Sequence, residues 1–409
     1  MKTITKAVAF ILAVMMLTGM AALSAAAEEI ETITVSLRIE GIEENIYYNT
    51  GLVLPVGSTV ADLVDVINGM DDTPEIVMSD GSFGAYISAI DDLAEFSFGD
   101  MSGWSYRVNG ADPSFGISHY ELEDGDSVIY FFGDPFGVGM QYPAADLSML
   151  LSEGVIVFTS IDTTYDADWT PVISENPVMG ATVTFNGRLY FTDENGAITI
   201  EDKTGLAGFN ALKIEKYDEE SGVPTVLRFA PDYTVYVPFA DAPDGEWYSD
   251  AVMFCVGEGY FIGVNLARNL FAPLQQMTVE QLITVLARIA GVDVAAPSDP
   301  WYAASLEWAI ENEIVDADAF ASGTNVTREE FIFMFFLTAA LAGDYDMTVR
   351  ADITEAVDFD DITEDYIEAV SWAVASGIIS GTDDNALTID PGLEINRATA
   401  CRMLFNYYN

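Results

Sequence analysis

Apolar and polar positions along the chain fall into three textures. From Glu31 to Asp134 short runs alternate with turn signals. Thr32–Ile39 has period two and predicts a strand. Val60, Leu63, Val64 and Ile67 recur at helical spacing and predict one short helix. Trp104–Val108 predicts a further strand, closed by Asn109-Gly110, two residues that tolerate positive φ and mark a hairpin turn. Asp124-Gly125-Asp126 is a second turn and leads into a strand at Ser127–Phe132. Strands around a single helix predict a β-grasp-like α+β domain over residues 28–140.

The middle of the chain, residues 154–237, carries strand signals without a helix. Ala181–Phe185 turns at Asn186-Gly187 into Arg188–Phe191. Thr192–Gly196 turns again into Ala197–Ile200, and Ala211–Lys216 and Thr225–Phe229 follow. Short strands at regular spacing predict an all-β sandwich.

From Phe239 to Asn409 the pattern repeats at intervals of about 55–65 residues, the range of units that bury a core only by stacking. The first unit, about 239–291, has Phe239, Asp241, Trp247-Tyr248, Gly259, Gly263, Phe271-Ala272-Pro273 and Thr278–Gln281. The second, about 292–343, has Trp301-Tyr302, Trp308-Ala309 and Thr327-Arg328-Glu329-Glu330. The third, about 352–409, has Phe359-Asp360-Asp361, Trp372-Ala373, Gly377, Asp390-Pro391 and Asn396-Arg397-Ala398-Thr399. Thr327 with Glu330, and Thr278 with Gln281, are capping boxes that start helices. Apolar residues behind them (Leu282, Val285, Leu286, Ile289; Phe331, Met334, Phe335) predict three helices packed as an all-α central bundle. Phe331–Ala342 is apolar but too short to span a bilayer, and it fits a buried helix.

Composition narrows the functions. Lys2 and Lys6, the apolar run Ala7–Leu23 and Ala25-Ala26-Ala27 before Glu28-Glu29 predict a signal peptide over residues 1–27. The alternative is a retained anchor, but the run is short for a span. The expected chain is therefore secreted, with no transmembrane anchor. Acidic residues number 66 against 15 basic, a formal charge of −51, which argues against nucleic acid or anionic lipid as partner. Cys255 and Cys401 are expected as buried thiols, with a bridge between repeats as the alternative. One histidine, His119, leaves no zinc site of histidines and no Ser-His-Asp triad elsewhere. The acidic clusters Asp358/Asp360/Asp361/Asp365 and Asp162/Asp166/Asp168 lack calcium-loop spacing, so no metal is expected. No nucleophile–base constellation stands out, and the chain is read as not an enzyme.

Three resemblances add to this reading. Gly103–Gly110, with Gly116-Ile117-Ser118, Tyr120 and Leu122–Asp126, resembles the transcobalamin C-terminal-like domain. That resemblance implies a β-grasp-like ligand-binding module, with a corrinoid as one conceivable ligand and Trp104, Tyr106 and Asn109 as candidate contacts. Pro177–Val183 with Thr192–Gly196 resembles the carboxypeptidase-regulatory-like or prealbumin-like sandwich, which implies a spacer. The repeats resemble S-layer homology repeats. This implies localisation at a bacterial cell wall or S-layer through grooves that bind a pyruvylated secondary cell-wall polysaccharide. Arg328 and Arg397 stand at the motif's arginine, suited to a carboxylate by the bidentate guanidinium fork, with Trp247 and Trp301 as groove candidates. Val279 replaces the arginine in the first repeat. Two functions follow: a structural or adhesive surface protein, or surface capture of a small molecule by the N-terminal domain.

Overall fold

The computed structural model describes residues 31–409 except 82–83, 114, 135–137, 166–170, 295–298, 344–345 and 381–386, with side chains 162–165 and 171–173 also left aside. The expected signal peptide lies outside these residues, as do Asp166 and Asp168. The chain divides into two compact units. The first comprises residues to Asp146, Ile156–Thr199 and Ala211–Tyr233; the second comprises Leu147–Val155, Ile200–Asn210 and Thr234–Asn409.

In the first unit a four-stranded sheet has the order β2-β1-β7-β6, from β1 (Thr32–Glu40), β2 (Asn45–Pro55), β6 (Gly103–Val108) and β7 (Ser127–Gly133). β1 and β7 run parallel; the other pairs are antiparallel. Alternation decides the faces. Val35, Leu37, Ile39, Val128 and Tyr130 are buried on one side with Val60, Leu63, Val64 and Ile67 of α1 (Val60–Asn68). Thr59 caps α1 in a full capping box with Asp62. A second sheet, β3-β4-β5 (Ile76–Gly81, Gly84–Ile90, Leu93–Ala94), contributes Ile76, Ile87 and Ile90 to the same core. Asn109 and Gly110 both take positive φ and close Val108 onto Ala111, but β7 begins only at Ser127. The predicted hairpin is a tight turn that opens a long connection.

The same unit holds most of the middle region. β8 (Pro143–Asp146) and β10 (Pro171–Pro177) flank β9 (Val155–Tyr165), which also pairs β13 (Ala197–Thr199). β11 (Thr182–Phe185) lies between β12 (Arg188–Phe191) and β14 (Gly208–Glu215). Ile156, Phe158, Val183, Phe185, Leu212 and Ile214 are buried among these strands. The expected strand at Thr225–Phe229 does not form: Val226 makes only an isolated bridge, to Gln141. The chain there is drawn onto a different segment, with the Gln141 N–H donating to Thr225 O and the Leu227 N–H to Gln141 O, both 2.9 Å.

In the second unit, after β15 (Thr234–Val237), six helices follow in the order α2 (Ser249–Gly257), α3 (Val279–Ile289), α4 (Ala303–Glu311), α5 (Arg328–Ala342), α6 (Ile367–Ala375) and α7 (Arg397–Tyr408). One core joins them, from Phe239, Phe261 and Phe271 through Leu282, Leu286, Phe331 and Phe335 to Trp372 and Leu404. Each such side chain contributes about 1.5–3 kcal/mol of hydrophobic stabilisation when fully buried.

Candidate functional sites

The segments that precede α3, α5 and α7 close a three-membered ring. Their N-cap residues Thr278, Thr327 and Asn396 are extended, with ψ of 161°, 164° and 171°. The Met277 N–H donates to Ile395 O (3.0 Å), Ile395 to Val326 O (3.0 Å) and Val326 back to Met277 O (2.9 Å). Two residues on, the pattern recurs. Val279 donates to Thr324 O, Arg328 to Leu393 O and Arg397 to Gln275 O. The first turn of each helix is thereby seated on the loop of another repeat, and the Arg328 and Arg397 side chains enter those loops.

The two arginines meet different surroundings. Arg397 is buried and donates from Nε to Phe271 O (2.8 Å) and from Nη2 to Ile262 O (2.7 Å). Its guanidinium lies over the Phe271 and Phe261 rings, and burial pushes its pKa down to about 10. Arg328 is 8% exposed, and its Nε has no hydrogen-bond partner among the described residues. Burial lowers its pKa, and the carboxylates of Asp390 and Asp358 oppose that shift.

Asp358 corrects the sequence reading of the third repeat, which placed the motif aspartate at Phe359-Asp360-Asp361. The Asp241 carboxylate accepts from the Phe271 and Ala272 N–H groups at 2.8 and 2.9 Å. Asp358 accepts in the same way from Ile389 and Asp390 at 2.9 and 2.6 Å. Ala272 and Asp390 both hold positive φ, so each carboxylate braces a strained bend. Phe359–Asp361 instead form a 3-10 turn. The backbone bonds Ala240 N–H to Asn269 O and Val357 N–H to Leu387 O make Asp358, three residues before Asp361, the equivalent of Asp241.

Trp247 and Trp301 precede α2 and α4 at equivalent places. They are 51% and 54% exposed, and each packs edge-on against the tyrosine after it. They therefore offer ring faces at the surface and are not core residues. Cys255 and Cys401 are buried free thiols, and the Cys255 thiol points at Cys401 O at 3.7 Å. Burial raises the Cys401 pKa well above the ordinary thiol value.

In the first unit the N-terminal candidates are distributed unequally. The Trp104 indole N–H donates to Leu93 O at 2.9 Å and the ring packs edge-on to Phe132. The Tyr106 hydroxyl donates to Phe115 O, and burial pushes its pKa up to about 12. Both border a cleft of about 1390 Å³ whose other wall includes Gln141, Lys216 and Asp218. Asn109 is taken up by its turn: its amide donates to Asp126 Oδ1 and accepts from the Ser127 N–H. Among the described residues no group of His, Cys, Asp and Glu is placed to hold a metal, and no helix is long and apolar enough to cross a membrane.

Comparison gives the modules their names. Residues 358–401 match the S-layer homology domain, a module of cell-surface and S-layer association. Residues 64–133 match a domain of unknown function (DUF4430). No curated protein sequence matches the chain. Among solved structures, haptocorrin in complex with Cbi is similar at 22% identity and a TM-score of 0.24, over 27% of each chain. A Ruminococcus gnavus protein described as metal-binding is similar at 12% identity and a TM-score of 0.20, over 25% of this chain and 97% of its own. The chain thus spans about a quarter of the haptocorrin length.

Proposed function

We propose that this chain is a secreted, non-enzymatic surface protein that docks on an anionic, pyruvylated wall polysaccharide and displays its first unit as a ligand-binding head. Arg328 carries the reading. A guanidinium that is nine-tenths buried, with an Nε lacking a hydrogen-bond partner among the described residues, is a costly group to leave unused, and a carboxylate or phosphate is the acceptor that suits it. Trp247 and Trp301 supply exposed ring faces for sugars. Arg397 has Nε and Nη2 occupied by carbonyl oxygens, so its part is to hold the third repeat onto the first.

The test is sedimentation of the full chain with purified wall sacculi. Arg328→Ala is expected to weaken docking roughly tenfold to a hundredfold, the equivalent of about 1.5–3 kcal/mol for charge-assisted hydrogen bonds, with little change in melting temperature. Arg328→Lys is expected to restore only part of it, since the charge stays and the fork is lost. Removal of the polymer's acidic substituent is expected to abolish the difference between the wild type and Arg328→Ala. Equal docking of the Ala variant to intact polymer overturns the carboxylate clasp.

A further inference from the structure

The outer face of the β2-β1-β7-β6 sheet gathers charge of the rarer sign. Register places Tyr48, Arg38, Ile129 and Arg107 side by side across the four strands, in that order. Direct cross-strand neighbours share a face, and here it is the face opposite the one packed on α1. The segments around Tyr142 and Arg228–Tyr233 lie over this row. Tyr142 stacks on the Arg107 guanidinium, 3.4 Å to the ring centroid, and Phe229 and Tyr233 stack on each other. Between sheet and cover is a cavity of about 840 Å³ bordered by Arg38, Arg107 and Arg228. Only 15 of 409 residues are basic, so three arginines around one cavity is a marked concentration in a chain of charge −51.

The donors are only partly taken. Arg228 is fully committed to Glu40, the Gly41, Ile42 and Glu44 carbonyls and the Tyr217 hydroxyl. Arg38 donates from Nη1 to Glu40 and Arg228 O. Its Nε and Nη2 make no hydrogen bond among the described residues. Arg107, 9% exposed, donates from Nη2 to Gly110 O; its Nε is ion-paired with the exposed Asp112 at 3.2 Å without hydrogen-bond geometry. Glu40 has both oxygens engaged by arginines, leaving it no capacity to neutralise the row further.

We infer that this cavity is a binding site for a small organic anion: a carboxylate or phosphate seated between Arg38 and Arg107, with a flat apolar body against Tyr142, Phe229 and Tyr233. The size suits a ligand of that class, since small-molecule pockets run about 300–1,000 Å³. Two forks facing one cavity suit the planar or tetrahedral oxygens of such a group. The long-range field of an acidic chain repels anions, so affinity here comes from these local donors and from ring contact, and added salt lowers the repulsion. This site is separate from the wall-docking ring and does not depend on it.

Titration of the full chain with 2-naphthoate, 1-naphthyl phosphate and the neutral 2-naphthamide, read by probe fluorescence, tests it. Both anions are expected to saturate with one equivalent and to bind at least tenfold tighter than the amide, and whichever binds tighter identifies the preferred group. Arg107→Gln is expected to erase that preference. Ser127→Asp, which adds a negative charge at an exposed lining position without touching a buried side chain, is expected to weaken both anions at least tenfold with an unchanged melting temperature. Equal binding of anions and amide, no saturation by either anion, or unaltered anion binding in the folded Ser127→Asp variant overturns the site.

Discussion

Replacing Arg228 with Ala tests what holds the middle strands to the N-terminal sheet. Glu40 is 3% exposed and lies between Arg38 at 2.7 Å and Arg228 at 2.7 Å. The Arg228 side chain also supplies donors to three backbone carbonyls, at Gly41, Ile42 and Glu44. Its loss leaves those acceptors short of partners and Glu40 with one cation in place of two. Breaking a buried ion pair by removing one member costs about 3–5 kcal/mol. At about 2–4 °C per kcal/mol for a domain of roughly 150–250 residues, the transition of the first unit should fall by roughly 6–20 °C. Scanning calorimetry of the full chain measures that shift, and hydrogen exchange of β1 and residues 226–233 assigns it to this unit. Glu40→Gln should also destabilise, and the double variant should fall short of the sum by about 1–3 kcal/mol, because both single changes break the same contact. A single-variant loss below about 1 kcal/mol, or additivity within about 0.5 kcal/mol, refutes the reasoning and makes the network incidental to stability.

Three further outcomes follow from particular residues. Gly196 holds φ +73°, and a Cβ there would sit 2.3 Å from Phe158 O, whereas Gly180, at φ +64°, has open space. Gly196→Ala is therefore expected to cost several times the roughly 1–2 kcal/mol of Gly180→Ala, read by urea unfolding. Asp358→Ala removes the acceptor for the Ile389 and Asp390 N–H groups and is expected to cost about 1–3 kcal/mol, with faster amide exchange at both positions. Burial raises the Tyr106 pKa to about 12, so its contribution to stability is whole below the unfolded value of about 10 and is lost as pH rises through 12. Melting temperature should fall across that window, and less steeply in Tyr106→Phe.

The local grammar of the chain was legible from residues alone. A period-two run gave β1, helical spacing gave α1, and helical spacing behind a capping box gave α3 and α5, because these signals are set by neighbours within one or two turns. The resemblance to S-layer homology repeats pointed to Arg328 and Arg397. What each arginine does was not legible. The Phe271 and Ile262 carbonyls that take up Arg397, and the Asp390 and Asp358 carboxylates near Arg328, lie on other repeats far along the sequence. Thr225–Phe229 failed as a strand for the same reason: its β-propensity was overruled by pairing with Gln141.

The sequence by itself determined the starts of the main helices, the sign of the charge and the burial of both cysteines. Each depends on composition, period or a short-range cap. Only the tertiary structure decided that Asp358 is the bracing aspartate, that Trp247 and Trp301 face outward, and that Arg38 and Arg107 share one sheet face although 69 positions separate them in number. Those facts depend on strand register and on which loop receives which helix. Register is fixed by burial of an entire face, and no local run of residues encodes it.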